Sequence, residues 1–125
     1  MATSKGLVLC LDDDEDMLEC YKTVLEADGY TVIGVLSAEE GVRACKKQMP
    51  DVIVADLMME EVDAGTSFVR EIRAMGCNVP VYMVSSVGDA LNRNIDYGEL
   101  GLKGVLQKPV DIAELLKLVA KAVNR

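Results

Sequence analysis

The sequence predicts an α/β domain, a doubly wound five-stranded parallel sheet with helices on both faces. Five short aliphatic runs, too brief to be helices, recur along the chain. Between them lie stretches whose apolar residues repeat at helical spacing. Strands and helices that alternate this regularly build a parallel sheet, because each crossover helix returns the chain to the same edge.

The first run is Leu7-Val8-Leu9-Cys10-Leu11, interrupted by Asp12-Asp13-Asp14-Glu15-Asp16. Met17, Tyr21, Val24, Leu25 and Asp28 then follow the i, i+4, i+7, i+8 spacing of an amphipathic helix, apolar until its last member, and Gly29 stops it. Strand two is Tyr30-Thr31-Val32-Ile33-Gly34-Val35. Ser37-Ala38-Glu39-Glu40 has the form of a capping box opening helix two, with Val42 and Cys45 inward and Pro50 ending it.

Strand three, Val52-Ile53-Val54-Ala55, is apolar throughout and so reads as buried on both faces. It runs into Asp56. A carboxylate in mid-strand would be a costly buried charge, so Asp56 is expected at the carboxyl edge of the sheet, facing a crevice. Glu60 to Gly65 read as a polar loop, with Asp63 as the N-cap of helix three. That helix carries Phe68, Val69, Ile72 and Met75 on one face and stops at Gly76.

Strand four is Pro80-Val81-Tyr82-Met83-Val84, closed by Ser85-Ser86. Residues 88–98 give a fourth helix with Leu91 and Ile95 inward, diluted by Asn92, Asn94 and Gly98. Gly98, Gly101 and Gly104 punctuate a loop into strand five, Val105-Leu106-Gln107, which Lys108-Pro109 ends. Asp111-Ile112-Ala113-Glu114 caps a fifth helix striped by Ile112, Leu115, Leu116, Val119 and Val123. Ten elements use the whole length, so residues 1–125 are expected to form one domain.

Composition narrows the function. Half the residues are hydrophobic but only 4% are aromatic, so the core must be aliphatic. A net charge of -8 argues against direct binding to nucleic acid or an anionic membrane. No apolar run approaches the ~20 residues of a membrane span, and the N-terminus lacks a signal-peptide core, so a cytoplasmic location is expected. Cys10, Cys20, Cys45 and Cys77 are scattered with no metal-ligand spacing, which favours small buried hydrophobes over ligands or disulfides. There is no histidine, which excludes His-based acid-base chemistry and a phosphohistidine of the chain's own.

On this frame Asp12 and Asp13 end strand one, Asp56 ends strand three, Ser85 ends strand four and Lys108 ends strand five. In an open α/β sheet ligands bind at that edge. Each residue has a plainer reading alone: Ser85 as a turn, Lys108 as a surface lysine, Glu60 and Glu61 as solvated charges. Asp14, Glu15 and Asp16 read as a helix start complementing the macrodipole. Together the five are more specific. One carboxylate pair ~4 Å apart costs about 4 kcal/mol at an effective dielectric of 20, and Lys108 offsets one charge of three. A divalent cation offsets the rest, and an all-oxygen site with few protein ligands suits Mg²⁺. Asp56 is then the candidate nucleophile, able to take a phosphoryl group as an acyl phosphate while Lys108 and Ser85 contact its oxygens.

Leu11-Asp12-Asp13-Asp14, Asp56-Leu57-Met58-Met59, the strand-four run through Ser86, and Gly104-Val105-Leu106-Gln107-Lys108-Pro109 together resemble the receiver domain of two-component response regulators over residues 6–124. The resemblance implies a (βα)5 flavodoxin-like sheet with strand order 2-1-3-4-5. It implies that Asp56 is the phosphoacceptor, and that Asp12, Asp13, Asp56 and the Met58 carbonyl hold Mg²⁺. Ser85 becomes the switch hydroxyl, Lys108 the phosphate-pairing lysine, and Lys108-Pro109 a cis bond. The implied donor is a phosphohistidine on a sensor histidine kinase or histidine phosphotransfer protein. The implied output is contact with a downstream protein by a monomer or weak dimer, acting as a switch or as a phosphorelay member and not as an enzyme.

Three departures from the family pattern stand out. Val105 occupies the place of the usual aromatic, three positions before the lysine. Glu60 replaces a proline in the loop Met59-Glu60-Glu61-Val62-Asp63-Ala64-Gly65. Met58 and Val87, beside the reacting centre by analogy, are both apolar, so slow autodephosphorylation is expected. Leu91, Val105 and Val110 are candidates for the output surface or, equally, for the core. An aspartate-nucleophile phosphatase is the rival reading, but its general acid two residues after the nucleophile is Met58 here. An unphosphorylated binding module is a third, weakened because all five core residues are present.

Overall fold

Five aliphatic runs become five parallel strands because each is too short to close a helical face and the central ones can be buried on both sides of a sheet. In the computed structural model, which describes residues 4–56, 64–85, 102–107 and 110–123, these are β1 (Leu7–Leu11), β2 (Thr31–Val35), β3 (Val52–Asp56), β4 (Val81–Ser85) and β5 (Leu102–Gln107). The helices described are α1 (Glu15–Ala27), α2 (Ala38–Lys47), α3 (Ala64–Ala74) and α4 (Ile112–Val123). All strand pairings are parallel and the sheet order is β2-β1-β3-β4-β5, as the resemblance implied. The expected helix over 88–98, with Leu91 and Ile95, lies outside the described residues.

Period-two alternation sorts the core into two halves, one on each side of the sheet. Leu9, Leu11, Ile53, Ala55, Val81 and Met83 face Phe68, Val69 and Ile72 of α3 and Val42 and Cys45 of α2. Val8, Cys10, Val52, Val54, Tyr82, Val84 and Leu106 face Tyr21 and Leu25 of α1 and Leu115, Val119 and Ala122 of α4. Val105 and Val110 are half-buried against these two halves, one on each, so core packing accounts for part of both side chains.

The caps follow the local chemistry. Ser37 Oγ accepts the Glu40 N–H at 3.2 Å, and Asp111 Oδ1 accepts the Glu114 N–H at 3.2 Å. Gly29 and Gly76 follow α1 and α3 with φ of 101° and 91°, the left-handed conformation that favours glycine after a helix. Cys10, Cys45 and Cys77 are buried and Cys20 is exposed, all as free thiols. Burial first, then the neighbouring Cys77 thiol, pushes Cys45 up to about 12.

Two expectations need correction. β5 begins at Leu102 and not at Val105. Gly104 lies within the strand and not in the loop before it, beside Tyr82, whose ring an added Cβ would meet at 3.4 Å, an ordinary contact distance. Met75 is not on the buried face of α3: the helix ends at Ala74 and Met75 is 38% exposed in the following turn.

The α2–α3 contact rests on another glycine. A Cβ on Gly41 would stand 2.7 Å from Phe68 Cε1, and Phe68 is fully buried. Gly41→Ala gains about 1 kcal/mol of helix propensity but incurs about 1–3 kcal/mol of overpacking. The variant should therefore unfold at a lower urea concentration than the parent. A raised midpoint would show that Phe68 has room to move.

Candidate functional site

Two strand ends and one turn bring the acids together. Asp12 follows β1, and its N–H donates to the Val35 carbonyl at 3.1 Å, carrying the β1–β2 pairing past the strand. Its Oδ1 accepts the Asp14 N–H at 2.9 Å, which fixes the carboxylate against the turn. Asp56 closes the central strand, with its Cα in register with that of Val84. Asp12 and Asp56 are 1% and 2% exposed, while Asp13 is exposed. One oxygen from each of the three carboxylates lies within 4.8 Å of the others.

Alternation along the strands gives the cluster its side of the sheet. Val8 and Cys10 on β1, and Val52 and Val54 on β3, belong to the half of the core covered by α1 and α4. Asp12 and Asp56 continue those two rows by steps of two. Burying two acids here is costly by itself: at 4.8 Å and an effective dielectric of 20, one pair repels by about 3 kcal/mol. Three oxygen donors, two dry and one open to solvent, fit a hard divalent cation that keeps part of its water, which is the coordination habit of Mg²⁺.

The neighbouring acids have structural work. Asp14 is the N-cap of α1, its Oδ1 accepting the Asp16 N–H at 2.9 Å, and Glu15 and Asp16 occupy the first helical turn. The sequence suggested a helix-start acidic run, and the structure adds the N-cap role of Asp14. Ser85 is the last residue of β4, as expected. Its side chain lies outside the described residues, as do the whole of Met58, Lys108 and the Lys108-Pro109 bond. The same holds for Glu60, Glu61, Asp63, Val87 and Leu91.

One polar group near the acids was hidden in the sequence. Tyr21 scans as one apolar member of the α1 stripe, yet its hydroxyl is buried and has no hydrogen-bond partner among the described residues. Burial first, then the charge of Asp12, with Cys10, Asp56 and Cys20 contributing less, pushes its phenol above the usual tyrosine range. The available signal was an aromatic in a stripe that is otherwise aliphatic.

Comparisons with known proteins agree with this geometry. The model of the response regulator receiver domain matches residues 8–120. The transcriptional regulatory protein PrrA of Mycobacterium tuberculosis is 34% identical over 94% of this chain and 50% of its own length. The probable transcriptional regulator ycf27 of Guillardia theta is 32% identical over 98% of this chain and 47% of its own. The chain thus spans about half the length of the curated relatives it matches. Among solved structures, the receiver domain of the Francisella response regulator 1452 superposes with a TM-score of 0.84 at 30% identity, covering 96% of this chain and 98% of that one. A response regulator receiver domain protein from Clostridium thermocellum gives a TM-score of 0.85 at 30% identity, over 96% and 95%. With the acid cluster where the sheet order requires it, this chain belongs to the response regulator receiver domains of two-component signalling.

Proposed function

We propose that Asp56 accepts a phosphoryl group from a phosphohistidine on a sensor histidine kinase or histidine phosphotransfer protein, with Asp12, Asp13 and Asp56 holding Mg²⁺. The observation that carries this is the convergence of three carboxylate oxygens within 4.8 Å at the carboxyl edge, two of them on buried acids. A carboxylate oxygen of Asp56 attacks phosphorus, the P–N bond to the donor imidazole breaks, and an acyl phosphate forms on the aspartate. The cation supplies neutralisation of the charge on the phosphoryl oxygens. The Met58 carbonyl completes its protein ligands, Lys108 pairs with the phosphate, and Ser85 bonds to it once transferred. The donor histidine lies outside these 125 residues, which contain none.

The output is a shift between two conformations read by a downstream protein. The chain acts as a switch, or as a member of a phosphorelay, without multiple turnover of its own. No described helix is long and apolar enough to cross a membrane, and the cytoplasm is our proposed site of action on the strength of the family. In a protein as long as the matched regulators, nucleic-acid contacts would fall to the other half, and these 125 residues would act as a monomer or weak dimer.

The test is incubation with Mg²⁺ and a small acyl-phosphate donor, followed by intact-protein mass measurement. One added phosphoryl group is expected, and chelating the metal should abolish it. No uptake sinks the proposal. The modification should be long-lived, since neither Met58 nor Val87 can orient a water, and Met58→Asn should shorten it. A lifetime that is short in the parent, or unaltered in the variant, removes that explanation.

A further inference from the structure

We infer that the Tyr21 hydroxyl is an outer contact of the divalent-cation site, accepting a hydrogen bond from a water of the hydrated ion and thereby acting as a positioning residue. The inference rests on the cation reading above and adds to it a residue from the body of α1.

Two features place the Tyr21 side chain on the side of the acids, and a third concerns the state of its hydroxyl. The first is helix direction. α1 starts immediately after Asp12 and Asp13, capped by Asp14, so its N-terminal end is its acid end. Side chains on a helix lean toward the N-terminus, which tips the long Tyr21 side chain toward the carboxyl edge of the sheet.

The second is packing. The Tyr21 ring belongs to the same half of the core as Cys10 and Val54, a pair in register across β1 and β3. Asp12 and Asp56 are each two residues further along those strands on the same face, so the ring shares its half of the core with the strand residues that lead into both acids. The charges of Asp12 and Asp56 both reach the phenol, in line with this placement.

The third is the state of the hydroxyl. Tyr21 is 1% exposed, and its Oη has no hydrogen-bond partner among the described residues. Buried hydroxyls nearly always have a partner, and leaving one without is costly. Phenylalanine would fill the same space at no such cost. A tyrosine kept there suits a partner that arrives with a ligand. Mg²⁺ dehydrates reluctantly and keeps several waters, each a donor, and a phenol oxygen can accept. Contacts of this outer kind usually matter about 10–100-fold in metal affinity.

Tyr21→Phe tests this with two readouts of opposite sign. Without added metal the variant should melt at the same or a higher temperature than the parent, because a partnerless buried hydroxyl has been removed. Titrated with Mg²⁺ alone, by calorimetry or by the rise in melting temperature, it should bind about tenfold more weakly. Unchanged Mg²⁺ affinity overturns the inference. So does a lower melting temperature without metal, which would show that the hydroxyl serves the fold. A parent chain that binds no Mg²⁺ would instead defeat the cation reading on which the inference stands.

Discussion

Asp56→Asn is expected to take up no phosphoryl group from Mg²⁺ and a small acyl-phosphate donor, while the parent gains one. The amide has nearly the carboxylate's shape, so packing at the end of β3 is kept while the nucleophilic oxygen is lost. The substitution also removes one of two buried negative charges in a cluster whose oxygens lie within 4.8 Å of one another. A pair at that distance repels by about 3 kcal/mol at an effective dielectric of 20, and part of that should return as stability in metal-free buffer. Addition of Mg²⁺ should then raise the melting temperature of the parent far more than that of the variant, since ligands stabilise only what they bind. A variant still modified by the donor would move the acceptor to another acid.

Phe68→Ala should be the most damaging truncation on the opposite face. Phe68 is the one phenylalanine in the chain and is fully buried between α2, α3 and the sheet. Removing it forfeits transfer free energy and leaves a cavity, together about 3–5 kcal/mol. Domains of this size have about 5–15 kcal/mol in total, so the variant should remain folded but melt roughly 10–20 °C lower. Phe68→Leu should cost much less alone and should also soften the penalty of Gly41→Ala, because the ring edge that an added Cβ meets at 2.7 Å is gone. Additive effects of those two substitutions would show that the close approach does not set the cost.

Most of the fold was legible because patterning, caps and stops agreed along the chain. Ser37 and Asp111 cap their helices as their sequence contexts indicated, and the aliphatic runs became strands in the expected places. The misreadings share a cause: both fell at the end of an element, where spacing alone does not fix the boundary. Gly104 read as part of the loop into β5, yet it lies inside the strand beside Tyr82. Met75 kept the helical spacing of Phe68 and Ile72, but the helix ends one residue before it.

The acid cluster was legible for a different reason. Three charged residues stood directly after buried strands, where no core could absorb them and where topology forces strand ends together. Tyr21 was not legible, because a tyrosine in a helical stripe counts as apolar until its hydroxyl is seen to end in the protein interior.

The division of the interior has a consequence for how this molecule can change over time. A single layer of backbone separates the acids and α1 from the Phe68 side, so the two compartments share few side-chain neighbours. Drift in the compartment of α2 and α3 leaves the acids behind the other face largely undisturbed. Such a domain can vary across one wall while the carboxylates behind the other keep their arrangement.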